Sequence, residues 1–363
     1  MNPVDGVACA RPGFDSRGKP GLNIVGYGSF TTKSGRRRRY RCAVCRDTLS
    51  TNTGTAYSGL RCMRREFEQV ASLRVEGVSV SATARVTGHP RNTIARWLER
   101  ASTRFNDRML HDVDLIELQA DELCTFVGNK TTTVWLFAAI EVSSRLWAGC
   151  VLGRRSDHNA RAVVNDVVRR GRVVGCPLIA TDGFAYYASA VGVRLGSTCV
   201  YGQVLKTRRN NRVVRIERRA KSGTAERLKA ALWASEDSET LNTSFVERLN
   251  LTIRQASAYL RRRSPCHARG ADQLRNHVEL VRCHYNFIRP HRALRFGRDT
   301  PTPAMQAGLV NTHMGWLDIF TAPGLSLRLL VAVVHVSVTV KPAQAEAAKL
   351  PTRSLSSAWQ KAV

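Results

Sequence analysis

The stretch LIELQADELCTFV, residues 115–127, is mostly apolar and carries Asp121 at its middle. A short run of this composition predicts a β-strand. The chain keeps this character from about residue 112, and the alternation of strands with a helix favours an α/β domain. The next predicted elements are a strand pair over 134–152 that turns at 143–145, a helix over 160–170 and a short buried strand over 177–181.

The following part of the chain is more basic. Its predicted elements are a very basic hairpin over 204–219 with Asn210-Asn211 near the turn, a helix over 244–263 and a helix over 273–286. The segment YNFIRPHRAL, residues 285–294, ends the last helix with basic and aromatic side chains. Those side chains either contact DNA or pack in the core. Beyond about residue 310 the sequence no longer has the pattern of an orderly domain.

The charge of the whole chain points to a polyanionic partner. Its 56 Lys and Arg residues face 28 Asp and Glu residues, which leaves a formal net charge of +28 over 363 residues. A field of that strength repels itself unless a polyanion neutralises it, and nucleic acid does so with release of counterions. The plain alternative is a soluble basic protein. A membrane surface is disfavoured because no suitable basic amphipathic helix is evident.

Cysteine usage and hydropathy indicate the compartment. The ten cysteines are spread out, and only Cys42 and Cys45 are closely spaced, unlike a disulfide framework. The start of the chain lacks an apolar signal core. The longest apolar stretch, residues 325–340, is interrupted by Arg328 and His335 and is too short to span a bilayer. We expect a cytoplasmic, nucleoid-associated protein with no membrane partner.

Three acidic residues occupy positions suited to metal chemistry. Asp121 lies in the first strand, Asp182 follows the strand over 177–181, and Glu247 lies in the first turn of a helix. Acids placed in this way can converge on a pair of divalent metals that stabilise the attacking and leaving oxygens of a phosphoryl transfer. Mg²⁺ suits carboxylate ligands. The ordinary alternatives are a surface acid, an Asp182-Gly183 turn and a capping box between Ser244 and Glu247.

The helix that carries Glu247 adds a basic component. Glu247, Asn250, Leu251 and Arg254 follow the i, i+3, i+4, i+7 spacing and therefore share one face. A carboxylate and an arginine on one face can hold metal and phosphate side by side. Arg248, Asn250 and Arg254 are accordingly predicted to contact DNA. The alternative is an exposed helix with ordinary ion pairs.

A helix-turn-helix motif is predicted over 79–100. The segment VTGHP, residues 86–90, combines a helix-stop with a helix-start signal. The second helix of such a motif enters the major groove of DNA. The residues placed to reach bases or phosphates are Arg91, Asn92, Thr93 and Arg96, while Ile94, Trp97 and Leu98 should face the core. A plain helical hairpin is the alternative.

Three segments resemble the catalytic motifs of Asp-Asp-Glu transposases of the insertion-sequence-one family. They are ADELCTFVGNK (120–130), TDG (181–183) and VERLN (246–250), the last followed by Arg254. The resemblance runs from about Cys9 to about Leu309. It implies a ribonuclease-H-like fold, Mg²⁺ (or Mn²⁺), and strand cleavage followed by strand transfer. It also implies that Asp121, Asp182 and Glu247 are metal ligands, with Glu122 as the alternative for the first position.

The N-terminal segment resembles the zinc ribbon that members of this family often carry. The segment RYRCAVC, residues 39–45, follows a run of four arginines and places two thiolates where one tetrahedral Zn²⁺ can bind them. Cys9 matches the first ligand of the ribbon, but Phe14 stands where the second cysteine is expected. Three thiolates make a weak site, so a metal-free knuckle is the alternative. Cys62 is a conceivable substitute for the missing ligand.

These patterns together predict a multidomain DNA transposase that binds the ends of an insertion element. The division is a zinc-ribbon-like module (1–60), an all-α helix-turn-helix domain (61–110), an α/β ribonuclease-H-like mixed-sheet catalytic domain (111–310) and a tail (311–363). Its partners are double-stranded DNA, as terminal repeats and target, and further copies of the chain in a homo-oligomer on DNA. The competing functions are a helix-turn-helix regulator without catalysis and a nuclease of the same fold. Phe14 and the tail also suggest a decaying copy of the element.

Overall fold

The computed structural model describes residues 7–9, 11, 19, 21–32, 35–102, 110–210, 212–235 and 239–321. The first elements form a small antiparallel sheet in the order β1 (Ile24–Thr32), β2 (Gly35–Cys42) and β3 (Thr48–Leu49). Tyr40 and Cys42, which alternate along β2, point with Ile24 and Leu49 into a small core of their own. The zinc-ribbon-like module predicted over 1–60 thus contains short strands.

Three helices follow, namely α1 (Arg64–Val75), α2 (Val80–Thr87) and α3 (Arg91–Ser102). The hydroxyl of Ser79 accepts a hydrogen bond from the Ala82 N–H and caps α2, and Gly88 ends that helix with a positive φ of 74°. Within α3, Ile94 and Leu98 are buried. Trp97 is half-buried, and its ring centroid lies 5.6 Å from that of Phe67 on α1. The predicted helix stop and start lie where the structure has them.

A six-stranded mixed sheet forms the centre of the remaining chain. Its strands are β4 (Val113–Val127), β5 (Asn129–Glu141), β6 (Leu146–Gly153), β7 (Gly171–Asp182), β8 (Val200–Arg209) and β9 (Arg212–Ser222), in the spatial order β6-β5-β4-β7-β8-β9. The β4–β7 and β7–β8 pairs are parallel, and the other pairs are antiparallel. β6 therefore runs in the same direction as β4, β7 and β8. The fold is mixed α/β and compatible with a ribonuclease-H-like arrangement.

The remaining helices of the described chain are α4 (Asp157–Arg170), α5 (Tyr186–Arg194), α6 (Ala225–Ala234), α7 (Ser244–Ala256), α8 (Ala271–Cys283), α9 (Pro303–Gln306) and α10 (Trp316–Thr321). Helices, among them α4 and α7, cover both faces of this sheet. α4 approaches closely at Gly149 of β6, where a Cβ atom would lie 2.6 Å from the Val167 side chain. Gly149 pairs with Ala139, which pairs with Ala120 of β4, so Ala120 is on the α4 face. Gln119, its neighbour, contacts α7 on the opposite face.

Several helices and strands begin or end at residues other than those predicted. The helix expected over 244–263 ends at Ala256, because Ala258, Tyr259 and Leu260 turn inward and are buried. α4 begins three residues earlier than predicted, and β7 begins at Gly171 instead of Pro177. The sequence patterns did not indicate α5 or α6. The basic hairpin is confirmed, with Asn210 at its turn in the left-handed region (φ 49°).

The aromatic residues of the segment 285–294 have a packing role. α8 is followed by a π-helical turn, His284–Ile288, in which Tyr285 and Phe287 are buried. The Tyr285 hydroxyl donates to the backbone carbonyl of Arg145, at 3.0 Å. The DNA-contact alternative for these two rings is therefore wrong.

A packed helix lies within the segment expected to be a tail. Ile319 and Phe320 of α10 are fully buried, and the Phe320 ring makes edge contacts with Tyr57 and Phe67. The Trp316 indole N–H donates to the Ser72 hydroxyl at 2.8 Å. The apolar stretch 325–340 lies outside the described residues. Among the residues that are described, no helix is long and apolar enough to cross a membrane.

Candidate active site

The two strand acids meet at the centre of the large sheet. Asp121 lies on β4 and Asp182 ends β7, and the parallel register places Ala120 beside Thr181, so the two acids are adjacent in neighbouring strands. The Asp182 carboxylate accepts the Phe184 N–H at 3.0 Å, which fixes the turn that leaves the strand. Carboxylate oxygens of Asp121, Glu122 and Asp182 lie within 4.8 Å of one another. The sequence-predicted first and second acids are thus brought together.

Glu122 joins this group from the other face of β4. Neighbouring residues of a strand point to opposite faces, so Asp121 faces α7 and Glu122 faces the α4 and α5 side. The Glu122 side chain is 1% exposed and accepts a hydrogen bond from the guanidinium of Arg155 at 3.2 Å. The hydroxyl of Tyr187 on α5 lies beside the same carboxylate, and burial followed by the charge of Glu122 raises the pKa of that phenol.

Arg155 is a positive group that reaches two of the acids. It lies in the loop after β6, and its guanidinium stacks over Phe184 at 4.2 Å and Trp135 at 5.0 Å. Besides Glu122 it reaches an Asp182 carboxylate oxygen at 3.9 Å. Two aromatic rings and two carboxylates therefore fix one cation at the edge of the site.

Glu247 approaches from α7 but is not part of the tight group. Its carboxylate accepts the Thr243 hydroxyl at 2.7 Å and pairs with the ammonium group of Lys206 on β8. The capping-box alternative does not hold, because Thr243 occupies the N-cap and the Ser244 hydroxyl donates to Asn242. Glu247 lines the same cavity as Asp121 and Asp182.

Two amide side chains hold α7 against β4. Gln119, fully buried two residues before Asp121, accepts the N–H groups of Phe245 and Val246 at 2.9 and 3.2 Å. It thereby satisfies unpaired donors at the start of the helix. One turn further on, the Asn250 side chain donates to the Asp121 carboxylate at 2.8 Å. These bonds set the position of Glu247 relative to Asp121.

The acids perturb one another. Burial, followed by the charge of Asp182, raises the pKa of Asp121 to about 6 and that of Glu122 to about 7. Burial also raises the pKa of Asp182, although the Phe184 N–H and Arg155 oppose this change. Unfavourable negative charge concentrated in this way is relieved by a cation.

The surrounding cavity suits both a metal and a phosphate. It measures about 680 Å³. Its acids offer the oxygen ligands that Mg²⁺ prefers. The buried Oδ1 atom of Asn250, which has no hydrogen-bond partner among the described residues, adds an acceptor beside Asp121. The cations that line the cavity are Arg155, Lys206, Arg208, Arg254 and Arg262.

The residues predicted on α7 divide into different roles. Glu247, Asn250, Leu251 and Arg254 do share the cavity face, as the helical spacing predicted. Asn250 is only 8% exposed and bonds to Asp121, so its predicted DNA contact is replaced by a role in holding the acid. Arg254 is half-buried and donates to the Leu260 carbonyl at 2.9 Å, and Arg248 is exposed.

On α3, the polar residues predicted to face DNA remain accessible. Arg91, Asn92 and Arg96 are exposed, and Thr93 is half-buried. The first three line a groove of about 900 Å³ that continues to Arg269, on the loop before α8.

The cysteine group lies in the small N-terminal sheet. The sulfur atoms of Cys9, Cys42 and Cys45 lie within 4.8 Å of one another, and those of Cys9 and Cys45 are 3.5 Å apart. Burial raises the pKa of Cys9 to about 11. Thiolates so close fit three corners of a tetrahedral metal site. Cys62 is not a member of this group and lies by His89 and Glu66 instead; Phe14 lies outside the described residues.

Sequence reasoning missed Arg155, Lys206 and Gln119. Only Gln119 could have been found from the sequence. It is a polar residue in an apolar strand, and its position two residues before Asp121 puts it on the same face of the strand as Asp121. Arg155 and Lys206 are ordinary basic residues in a basic chain, and only the strand order brings them to the acids.

Comparison with known proteins adds little to this geometry. No protein-family model and no curated protein matches the chain. One similar solved structure is the cryo-EM structure of the piggyBac transposase synaptic complex with hairpin DNA, at 8% sequence identity. The match covers 78% of this chain and 76% of that chain, with a TM-score of 0.33. Similarity at this level carries no argument about function.

Proposed function

We propose that this chain is a metal-dependent DNA transposase, which binds the ends of an insertion element and catalyses strand cleavage and strand transfer. The observation that carries the proposal is the convergence of Asp121, Asp182 and Glu247 on one cavity whose rim is basic. A strand interior, the end of the next parallel strand and a later helix supply the three acids. A merely structural role does not require that convergence.

The chemistry assigned to the site is phosphoryl transfer. Divalent cations held by the carboxylates would neutralise charge on the attacking and leaving oxygens of the scissile phosphate. Asn250 and Gln119 hold Asp121 and the start of α7 in register. Lys206 and Arg155, both within reach of the acids, are placed to contact the non-bridging oxygens of a phosphate in the cavity. Positioning and charge neutralisation account for most of the catalysis in such reactions.

Sequence-specific binding is assigned to α2 and α3 as a helix-turn-helix. The accessible Arg91, Asn92 and Arg96 at the start of α3 support this assignment. Further phosphate contacts are assigned to Thr93, Arg248 and Arg254. A zinc ion at Cys9, Cys42 and Cys45 would brace the N-terminal sheet, and assembly as a homo-oligomer on DNA completes the proposal.

The deciding experiment incubates the full-length chain with Mg²⁺ or Mn²⁺ and a duplex that carries the sequences flanking its gene. Cleaved and joined strands are resolved on denaturing gels. Asp121→Asn, Asp182→Asn and Glu247→Gln should each abolish products while DNA binding persists, and Glu122→Gln should be milder. Wild-type rates in Asp182→Asn would overturn the proposal.

Two other functions have their own signatures in the same assay. Cleavage without joined products would indicate a nuclease. Metal-independent binding without any product would indicate a regulator, the alternative that leaves the three acids without a role.

A further inference from the structure

We propose that the β8–β9 hairpin is an arm that grips the DNA backbone beside the scissile phosphate. This inference rests on the proposed function, because it names how that substrate enters the site. The hairpin sequence, residues 200–222, contains eight Lys and Arg residues and one acid, Glu217. Seven of the eight basic side chains are exposed: Arg208, Arg209, Arg212, Arg215, Arg218, Arg219 and Lys221.

The base of the hairpin is a wall of the catalytic cavity. Asp182 pairs with Val204 of β8, and the residues from Val204 to Arg208 line the cavity beside the acids. Lys206 touches Glu247 there. Beyond Thr207 every described residue as far as Ile216 is exposed, so the ribbon leaves the body of the protein directly from the site.

Repulsion between positive charges on the outer hairpin destabilises the pairing of its two strands unless an anion is present. Arg209 and Arg212 are direct cross-strand partners. Like charges in that position destabilise a strand pair. Within the part of the chain that the structure describes, Arg208, Arg209 and Arg212 have no acidic partner, whereas Glu217 serves Arg215 and Arg219. Phosphates would offset this repulsion.

The spacing also fits a nucleic acid backbone. Residues two apart on one strand are separated by about 6.6 Å. Successive phosphates of one DNA strand rise by about 3.4 Å each along the axis and, because the backbone also winds around it, lie about 6.5 Å apart, so neighbouring phosphates match that separation. Lys206 and Arg208, which both line the cavity, have this relation and extend from Glu247 towards the tip.

Protection of a sheet edge is the competing explanation. β9 is an edge strand of the described sheet, and exposed charges at an edge prevent strand addition. Charges of either sign protect a sheet edge equally well. A grip on phosphates requires positive charge, so charge reversal separates the two explanations.

The test measures duplex binding by the full-length chain in an Asp182→Asn background with EDTA, over a series of salt concentrations. The duplex carries the sequences flanking the gene. The slope of log affinity against log salt is negative, and Arg209→Glu and Arg212→Glu should each make it less steep by about 0.9, the effect of one lost phosphate contact. Arg212→Lys should keep the slope. Arg194→Glu, an equal charge change at an exposed site on α5 outside the cavity, is the matched control.

A photo-crosslinking residue at Val214, which is 58% exposed on β9, provides positional information. Cross-links to the duplex that carries the flanking sequences should form. The inference is overturned if Arg209→Glu and Arg212→Glu bind like the Arg194→Glu control, or if no cross-link to DNA forms. Because these measurements need no cleavage, an inactive wild-type enzyme would overturn the proposed function and not the arm.

Discussion

Replacing Asp121 with Asn should make the metal-free protein more stable, because the acid site destabilises the fold it belongs to. Burial and the neighbouring Asp182 raise the pKa of Asp121 from 3.8 to about 6. One pKa unit corresponds to about 1.4 kcal/mol, so ionised Asp121 lowers the free energy of unfolding by up to about 3 kcal/mol. The hydrogen bond from Asn250 survives the change, because that amide has a buried, unpartnered Oδ1 and accepts equally well once flipped.

The sign of the pH dependence follows from the raised value. Below pH 3.8 the carboxyl is protonated in both folded and unfolded chains, and Asp121 imposes no penalty. Between 3.8 and about 6 the unfolded chain loses its proton first, so the stability of the folded protein falls as pH rises. Above about 6 the penalty is constant. The stability gained by Asp121→Asn should therefore be present at neutral and alkaline pH and vanish in acid.

Urea unfolding of the wild type and of Asp121→Asn, in EDTA and followed by tryptophan fluorescence, measures this difference. At about pH 8 the variant should be more stable by about 1 to 3 kcal/mol. Added Mn²⁺ should then stabilise the wild type and not the variant, because only the folded wild type has the full ligand set. A variant less stable than the wild type at pH 8, or a gain that persists unchanged in acid, would refute the reasoning.

Three further predictions concern other parts of the chain. The purified protein should contain about one Zn²⁺ per chain, and Cys42→Ser should remove it; absence of zinc from the wild type, measured by mass spectrometry, would favour the metal-free knuckle. Phe320→Ala should lower the free energy of unfolding by about 3–5 kcal/mol, as urea unfolding would show, because it empties part of a closed aromatic cluster; a loss below about 1 kcal/mol would contradict that packing role. Arg91→Ala and Asn92→Ala should each reduce the free-energy difference between binding to element ends and binding to unrelated duplex by about 1–3 kcal/mol, while general DNA binding persists. Competition binding measures this difference, and unchanged selectivity would count against the helix-turn-helix.

The sequence predicts elements wherever a pattern is local. The apolar runs of β4 and β5, the turn at Asn210 and the Gly88 helix stop are all of this kind, and the structure has each of them. The end of α7 was not predictable in this way, because helix-compatible residues continue beyond Ala256. What stops the helix is burial of Tyr259 and its neighbours against the rest of the core.

Which side chains lie opposite one another in the folded sheet depends on the strand order, and the sequence alone does not reveal that order. Helical spacing correctly placed Asn250 and Arg254 on the face of Glu247, but it could not tell which group lies opposite each of them. Asn250 meets a carboxylate instead of solvent. Arg155 is the clearer case. It reaches Asp182 because β6 and β7 run in the same direction, so that the loops that follow them emerge at one edge of the sheet.

The choice between Asp121 and Glu122 shows how topology assigns different chemistry to neighbouring acids. Alternation along β4 requires that only one of them faces α7, and Gln119, two residues before Asp121, binds the start of that helix. Asp121 therefore shares its face with Glu247, whereas Glu122 lies against α5 and spends one carboxylate oxygen on Arg155. A carboxylate so engaged is well placed to hold a cation for a phosphate. We therefore propose that Glu122 positions Arg155 and that Asp121 is the metal ligand.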